Sequence, residues 1–453
     1  MYNFLFSDKE FYRRLVRLAT PITLQQLIIV AVGMADVMMI GQLGETSVAA
    51  VGLADQMSFL LFLMLFGISS GAAIFTAQFW GQADILRIRS VLGICLLLSL
   101  VGGILFALTS IFIPEWVLSI YSTDPAVIAL GSSYLRIMGV GYLVLPITIS
   151  YSGVLRSIES VRLPLVASII AFSFNVIMNY GLIFGNFGLP QLGVTGAAIA
   201  TCCARFLECL IVLGGVYSHK SPVAARLPEM LNLKVISLKQ FFKTTIPVML
   251  TEITWSLGIT TYNVVYARIG TESIAAVNIA VTIDRVLFVI FIGMAFACAT
   301  MLGNRIGAGE IDKAVTYAKR FLTLGPVIAI TVGVVLIASV DVVLPLYKVS
   351  ATTIEFAHNI LMIMAFTLII RVSNLLILIG ILRSGGDTQV AFFIDAGVVW
   401  LVGVPLAFTG AFIFQWPVYL VYLLVMTEEV VKFGLGIWRF SSHRWIHRLT
   451  AMA

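Results

Sequence analysis

Twelve apolar stretches follow one another along this chain, each long enough to cross a bilayer at roughly 20 residues per helix. They run near 15–40, 48–79, 91–113, 127–150, 161–184, 194–217, 241–267, 274–303, 318–340, 354–380, 389–412 and 416–438. Inside a bilayer no water satisfies the backbone, so a lipid-facing segment must close its hydrogen bonds within itself. The chain is therefore expected to be an all-α membrane protein with 12 transmembrane helices. Composition agrees. Charged residues are 11% of the 453 and hydrophobic residues 60%, against about 25% charged in soluble domains.

The spans divide into two sixes because one unit is written twice. Leu43-Gly-Glu-Thr-Ser-Val-Ala-Ala-Val-Gly-Leu-Ala54 returns 226 residues later as Ile269-Gly-Thr-Glu-Ser-Ile-Ala-Ala-Val-Asn-Ile-Ala280. The same interval takes Pro21 to Pro247, Gly67 to Gly293 and Gly81 to Gly307. Gly153-Val-Leu-Arg-Ser157 returns as Gly380-Ile-Leu-Arg-Ser384, at an interval of 227. Two pseudo-symmetric six-helix lobes follow. The N-terminal lobe is 1–217 (helices 1–6), and 241–453 is the C-terminal lobe (helices 7–12) with a basic cytoplasmic tail. A polar, Pro-containing stretch at 218–240 is the expected cytoplasmic inter-lobe linker. Repeats of this kind in membrane proteins commonly place a site at their interface and move one half against the other.

Basic residues orient the chain, because cytoplasmic connections collect Lys and Arg. With the N-terminus inside, 22 of the 28 fall in the N-terminal segment, the even-numbered connections and the C-terminal tail, Lys234, Arg383 and Lys432 among them. Only Arg268 and Lys348 fall in the odd-numbered connections, and Arg136, Arg205, Arg285 and Arg371 lie within spans. Both termini are expected to be cytoplasmic in a multi-pass protein of the plasma (inner) membrane. The basic balance is then a property of inner-face loops and calls for no nucleic acid. The amphipathic, basic segment from Phe4 to Arg17 could lie on the inner surface.

Charges inside a bilayer cost at least about 2.5 kcal/mol each on insertion scales, so the few that persist line water, find partners or do work. Asp36 lies in the first span, where loss of hydration favours a protonated carboxyl that can take and release a proton. Asn175 and Asn179 stand four apart on one face of span 5. They suit either a cation or interhelical hydrogen bonding. Tyr134 opens span 4 and fits a cavity wall or an interfacial belt. The second half carries Glu252, Asp284, Arg285, Arg371 and Asp395, a set of both signs that suggests a buried network in the C-terminal lobe. Arg205 and Glu208 are three apart and are expected to pair. Pro21 and Pro247 each remove a backbone donor in the first turns of spans 1 and 7 and can bend them.

Other chemistry finds little support. No Gly-x-x-x-x-Gly-Lys-Ser/Thr motif occurs, so a pump would draw on an ion gradient. Gly67-Ile-Ser-Ser-Gly71 fits a hydrolase elbow in letters only, since no histidine can reach span 2; close helix packing accounts for it, as for Gly196-Ala197-Ala198. His443 and His447 have metal-like spacing without a third ligand, and the five cysteines behave as small apolar residues. No enzyme and no cofactor is expected.

The chain resembles the multidrug and toxic compound extrusion (MATE) family of the lipid-flippase-like (MOP) superfamily. The resemblance rests on Ala19-Thr-Pro21, Ala-Asp-x-x-x-Ile-Gly ending at Gly41, and the Leu-Gly-x-x-x-Val-Ala-Ala-Val turn after it. Gly193-Val-Thr-Gly-Ala-Ala198 and Leu382-Arg-Ser-Gly-Gly-Asp387 extend it over nearly the whole chain. It implies a V-shaped pair of lobes around a central cavity, and export of organic, often cationic drugs in exchange for H⁺ or Na⁺ by a monomer. Asp36 then looks like the coupling carboxylate of span 1, with Asn175, Asn179 and Tyr134 beside it. Asn179 stands where some members have Asp, so a second carboxylate is missing there. Glu252 resembles the span-7 carboxylate of the Na⁺-associated branch, whose span-10 acid is replaced here by Arg371. That replacement argues against a simple Na⁺ assignment; if the coupling ion is Na⁺ rather than H⁺, its expected place is at Asp36, Asn175 and Asn179 or at Glu252. The same superfamily frame also fits a flippase for lipid-linked oligosaccharide or polysaccharide.

Overall fold

The computed structural model describes residues 8–232 and 236–451; Lys234 and the Phe4 end of the amphipathic segment lie outside them. Regular structure among the described residues is helical throughout. The first half forms α1 (Lys9–Gly41), α2 (Glu45–Gly81), α3 (Ile85–Phe112), the short α4 (Pro114–Ser119), α5 (Pro125–Gly141), α6 (Leu145–Ser157), α7 (Arg162–Phe184) and α8 (Gly193–Ser218). After the one-turn α9 (Leu227–Met230), the second half forms α10 (Leu238–Ile269), α11 (Thr271–Gly307), α12 (Ile311–Val343) and α13 (Ala351–Leu375). A π-helical stretch, Leu376–Leu382, prolongs α13. Next come α14 (Thr388–Val398), π-helical Val399–Gly403, α15 (Val404–Phe408), π-helical Thr409–Ile413, α16 (Val418–Val425) and α17 (Thr427–Ser441).

Among the described residues nine helices are long and apolar enough to cross a membrane on their own, and α5 with α6, bent by 49° at their break, makes a tenth. The two remaining expected spans fall on α10 and on α16 with α17. α10 carries Glu252 among several threonines, and α16 and α17, of 8 and 15 residues, are each too short to span on their own. Local chemistry sets the ends. Asp84 and Asp124 cap α3 and α5 by accepting from the backbone N–H of Arg87 and Ala126. Ser350 caps α13 in the same way through Thr353. Gly185, at φ 78°, closes α7 in the left-handed conformation that a side chain would disfavour.

The repeat is visible in the helices themselves. α2 and α11 both have 37 residues and start 226 apart, at Glu45 and Thr271. Ile85 and Ile311, Pro125 and Ala351, and Arg162 and Thr388 open matching helices at the same interval of 226. The interval of 227 at Gly380 also has a structural cause. The additional residue lies by the π-helical stretch Leu376–Leu382, where a wider turn absorbs it without ending the helix.

The chain forms two compact units, Leu24–Met249 and Met1–Thr23 with Leu250–Met452. It passes from one to the other inside α1 and inside α10, two residues beyond Pro21 and two beyond Pro247. Both prolines lie well inside continuous helices rather than in first turns, because α1 begins at Lys9 and α10 at Leu238.

The described start of α1 packs on α12. Phe11, Leu15 and Leu18 are buried, and the Phe11 ring meets Tyr317 and Phe321 at centroid distances of 4.9 and 5.2 Å. Asp8 pairs with Arg320, and Glu10 with Arg305 at 2.9 Å. Burial alone would raise the Asp8 carboxyl, but the Phe11 backbone N–H and the Arg320 guanidinium outweigh it and hold Asp8 below the usual carboxylate range. Its stabilising contribution is complete above the ordinary value and fades as pH falls through the lowered one.

Small residues let helices touch. A Cβ at Gly67 would meet Met249 Cα at 2.8 Å, and one at Gly71 would meet Thr245 Cγ2 at 2.6 Å, so the Gly-x-Ser-x-Gly letters serve the packing of α2 on α10. A Cβ at Gly196 would lie 2.5 Å from the Leu182 carbonyl oxygen and 2.7 Å from its carbon. Backbone cannot yield there as a side chain can. Gly196→Val is expected to force α7 from α8 and lower stability by about 1–3 kcal/mol, seen as a depressed Tm of the purified protein. An unchanged Tm would show that the two helices separate freely.

Candidate functional site

Three helices of the Leu24–Met249 unit bring the first-half residues together. Asn179 on α7 donates through Nδ2 to Asp36 Oδ1 on α1 at 2.5 Å and to Asn175 Oδ1 at 3.1 Å. Asn175 in turn donates to Thr201 Oγ1 on α8 at 3.2 Å. The four-residue spacing of the asparagines places both amides in one chain of hydrogen bonds, as their shared face requires. Asp36 is partly exposed and Asn179 fully buried. Among the described residues Asn179 Oδ1 is buried with no hydrogen-bond partner. A neutral carbonyl oxygen is thus left unsatisfied beside a carboxylate, a costly arrangement unless a donor or cation visits it.

A second carboxylate stands near. Asp55 on α2 accepts a long hydrogen bond, 3.4 Å, from the Tyr134 hydroxyl on α5, whose ring is buried. Asp55 and Arg205 are the charged groups that act through space on Asp36. Arg205 lies over the Tyr142 ring at 5.7 Å, and its Nη1 is buried without a hydrogen-bond partner among the described residues. It does not pair with Glu208. That carboxylate instead accepts from Ser168 Oγ at 2.7 Å, which itself accepts from Gln25 at 3.1 Å. Neighbouring helices, not spacing along α8, choose the partners. Arg136 is exposed and pairs with Glu115 at 2.5 Å.

The second-half candidates sort into distinct pairs. Arg371 on α13 holds Asp284 on α11 through two hydrogen bonds of 2.9 and 2.8 Å, with its guanidinium 4.9 Å over the Phe288 ring. Glu252 on α10 accepts from Arg383 at 2.8 Å. Asp395 on α14 meets the Lys432 ammonium at 3.1 Å and acts through space on Glu252. Arg285 is exposed and takes no part in these pairs. Arg383, expected in a connection, and Lys432, counted with the basic C-terminal tail, are buried at 4% and 3% exposure. Among the described residues no three His, Cys, Asp or Glu side chains could hold a metal ion, and His447 faces Asp387 at 3.7 Å.

A family model described as MatE matches residues 21–181 and 247–409, one block in each copy of the repeat. The chain belongs to the MatE family. This MatE-family chain is 22% identical over 442 residues to the probable multidrug resistance protein NorM of Thermotoga maritima, covering 97% of this chain and 94% of the relative. It is 28% identical over 415 residues to the protein of the same name from Synechocystis sp., covering 88% of each. It is 23% identical over 448 residues to the uncharacterized transporter YisQ of Bacillus subtilis, covering 98% and 96%. Among solved structures it superposes on a mutant of the Vibrio cholerae MATE transporter VcmN with a TM-score of 0.87 at 18% identity, covering 96% and 98%. An outward-facing multidrug resistance MATE family transporter of the MOP superfamily gives 0.83 at 20% identity, covering 95% and 96%. The fold is that of the MATE transporters, all-α with twelve helices in two lobes. As a MatE-family member the chain is a multi-pass membrane protein of a transporter family.

Two features of this MatE-family chain escaped the sequence. Asp55 supplies a carboxylate from α2 where position 179 lacks one. Its signal was present, a lone acid inside the apolar run 48–79. Glu428, Glu429 and Lys432 crowd together on α17 near a chain end, where charge reads as a tail.

Proposed function

We propose that this chain is a secondary active multidrug efflux transporter. It exports organic, mostly cationic compounds by alternating access in antiport with H⁺ or Na⁺, with Asp36 as the main coupling carboxylate. The observation that carries this reading is the unpartnered, buried Asn179 Oδ1 beside Asp36. An ionised Asp36 takes the Asn179 amide hydrogen. A proton or cation arriving there meets the carboxylate and, next to it, an oxygen with free lone pairs. Oxygen donors from Asp36, Asn175, Asn179 and Thr201 suit a hard monovalent cation, and equally a carboxyl O–H. Glu252 suits a cation less well, because the Arg383 guanidinium already neutralises it at 2.8 Å.

Asp55 belongs to the same site. With Asp36 and Arg205 it leaves one net negative charge, which a single proton or monovalent cation balances. Pro21 and Pro247 would provide the bends by which α1 and α10 follow the cycle, since each removes an intrahelical hydrogen bond. The N-terminal lobe 1–217, the linker 218–240 and the C-terminal lobe 241–453 are the proposed moving parts. The protein works as a monomer in the plasma (inner) membrane with both termini cytoplasmic, and needs no bound cofactor.

Proteoliposome uptake of a fluorescent organic cation tests the reading, under an imposed pH gradient and then an imposed Na⁺ gradient. One of the two gradients is expected to drive accumulation. Transport under neither, or transport of a labelled lipid-linked sugar instead, overturns it. Asp55→Asn is expected to slow driven uptake roughly tenfold, the scale of a charge-assisted hydrogen bond worth about 1.5 kcal/mol. Initial rates at equal protein density give the comparison, and an unchanged rate removes Asp55 from the site.

A further inference from the structure

The charges buried in the second compact unit do not balance. Arg371 answers Asp284 and Arg383 answers Glu252, one for one. Lys432 does not fit this pattern. Its ammonium faces three carboxylates, Asp395 at 3.1 Å, Glu428 at 3.5 Å and Glu429 at 3.7 Å. These come from two helices, α14 and α17. The Tyr262 hydroxyl of α10 donates to Glu428 Oε2 at 2.5 Å, and Asn374 Nδ2 of α13 donates to Glu429 Oε2 at 2.7 Å. Tyr266 and Tyr422 also feel Glu428 through space, and Arg371 feels Glu429. Fully ionised, the group would carry two uncompensated negative charges around a buried ammonium, with Glu428 itself withdrawn from solvent. Such a charge is neutralised rather than tolerated.

What neutralises it can be chosen on geometry. A metal cation would need the centre of the three carboxylates, and the Lys432 ammonium holds that place. A proton needs only one oxygen. Acceptors also outnumber donors here, because among the described residues Asn374 Oδ1 is buried with no partner while its own nitrogen is fixed on Glu429. A carboxyl O–H would add a donor to this acceptor-rich group. Glu428 is the least exposed of the three acids, with a side chain at 5% against 17% for Asp395 and 18% for Glu429.

We propose that this cluster is a proton-binding site separate from Asp36, in which Glu428 binds and releases one proton and Tyr262 transmits its charge state to the π-helical turn at Val399. The Tyr262 hydroxyl has one hydrogen and two acceptors in reach, Glu428 Oε2 at 2.5 Å and the Val399 carbonyl oxygen at 3.5 Å. With Glu428 ionised, that hydrogen goes to the carboxylate. With Glu428 protonated, the carboxyl donates to the Tyr262 oxygen and the phenolic hydrogen turns to Val399. Val399 opens the π-helical stretch Val399–Gly403, where the backbone already departs from α-geometry. Gly403 ends it, and a Cβ there would collide with both the Tyr262 hydroxyl and Glu428 Oε2. A change of one proton is thus delivered onto a π-helical turn whose last residue, Gly403, has no side chain between its backbone and the Tyr262–Glu428 pair.

Infrared difference spectroscopy of the purified full-length protein, between acid and alkaline buffers, tests this without any transport step. One component of the protonated-carboxyl C=O band that appears with acidification is expected to vanish in Glu428→Gln and to survive in Asp36→Asn; every outcome is read from this component. Tyr262→Phe keeps every charge and is expected to shift the band, so it stands in if Glu428→Gln fails to fold. Na⁺ added at constant pH is expected to leave the band unchanged. A band that persists in folded Glu428→Gln, stays unshifted in Tyr262→Phe, or is abolished by Na⁺ overturns the proposal. A band lost only in Asp36→Asn overturns it too and leaves the coupling role of Asp36 standing.

Discussion

Asp36→Asn is expected to leave the protein folded and to abolish gradient-driven transport of an organic cation. The replacement has the same shape, and its amide oxygen can still accept from Asn179 Nδ2 across the 2.5 Å contact. The chain of hydrogen bonds through Asn175 to Thr201 therefore survives, and the Tm of the purified protein should move little. What disappears is the one charge in that chain. Arg205 and Asp55 remain, but the carboxylate that would itself take the proton or monovalent cation is gone. Driven uptake should fall by at least about a hundredfold, the equivalent of about 2.7 kcal/mol of lost coupling. Downhill exchange of substrate should persist, because cargo binding is not what the charge provides. Uptake at the wild-type rate from variant protein of normal Tm would remove Asp36 from the mechanism. A matched loss of uptake and Tm would instead make it a structural residue.

The architecture was legible because bilayer physics leaves few choices. Apolar runs of span length become helices, and a repeat in letters becomes a repeat in helix starts, as at Glu45 and Thr271. Even the slip from an interval of 226 to one of 227 had a physical meaning, in the π-helical turn before Gly380. The site was legible only in part. A lone charge in an apolar run announces itself, so Asp36, Asp284 and Arg371 stood out. Which helix supplies its partner depends on tertiary packing, and no periodicity encodes that. Arg205 and Glu208 share a helix face yet turn to Tyr142 and Ser168. Charges close to span ends are the hardest, because a solvated loop and a buried pair use the same letters there. Arg383 and Lys432 were of this kind.

Arg371→Met is expected to cause the largest loss of stability in the molecule, and Asp284→Leu in the same chain is expected to repair it. Arg371 and Asp284 lock α13 to α11 through two parallel hydrogen bonds, and both side chains are largely withdrawn from solvent at 16% and 12% exposure. Removing the guanidinium leaves the carboxylate buried without its cation and also forfeits the contact over Phe288. Breaking a buried pair from one side costs about 3–5 kcal/mol. Removing both charges costs far less, because the desolvation that the pair had to overcome vanishes with it. The single variant should therefore show a sharply lower Tm and yield, and the double variant should return to within about 1 kcal/mol of the original. Transport separates the two roles such a pair can have. If it only fastens α13 to α11, the repaired double variant carries an organic cation at close to the original rate. A double variant of normal Tm that no longer transports would show that Asp284 or Arg371 handles cargo or coupling ion directly. In that event the mechanism would need a second-half site as well as Asp36.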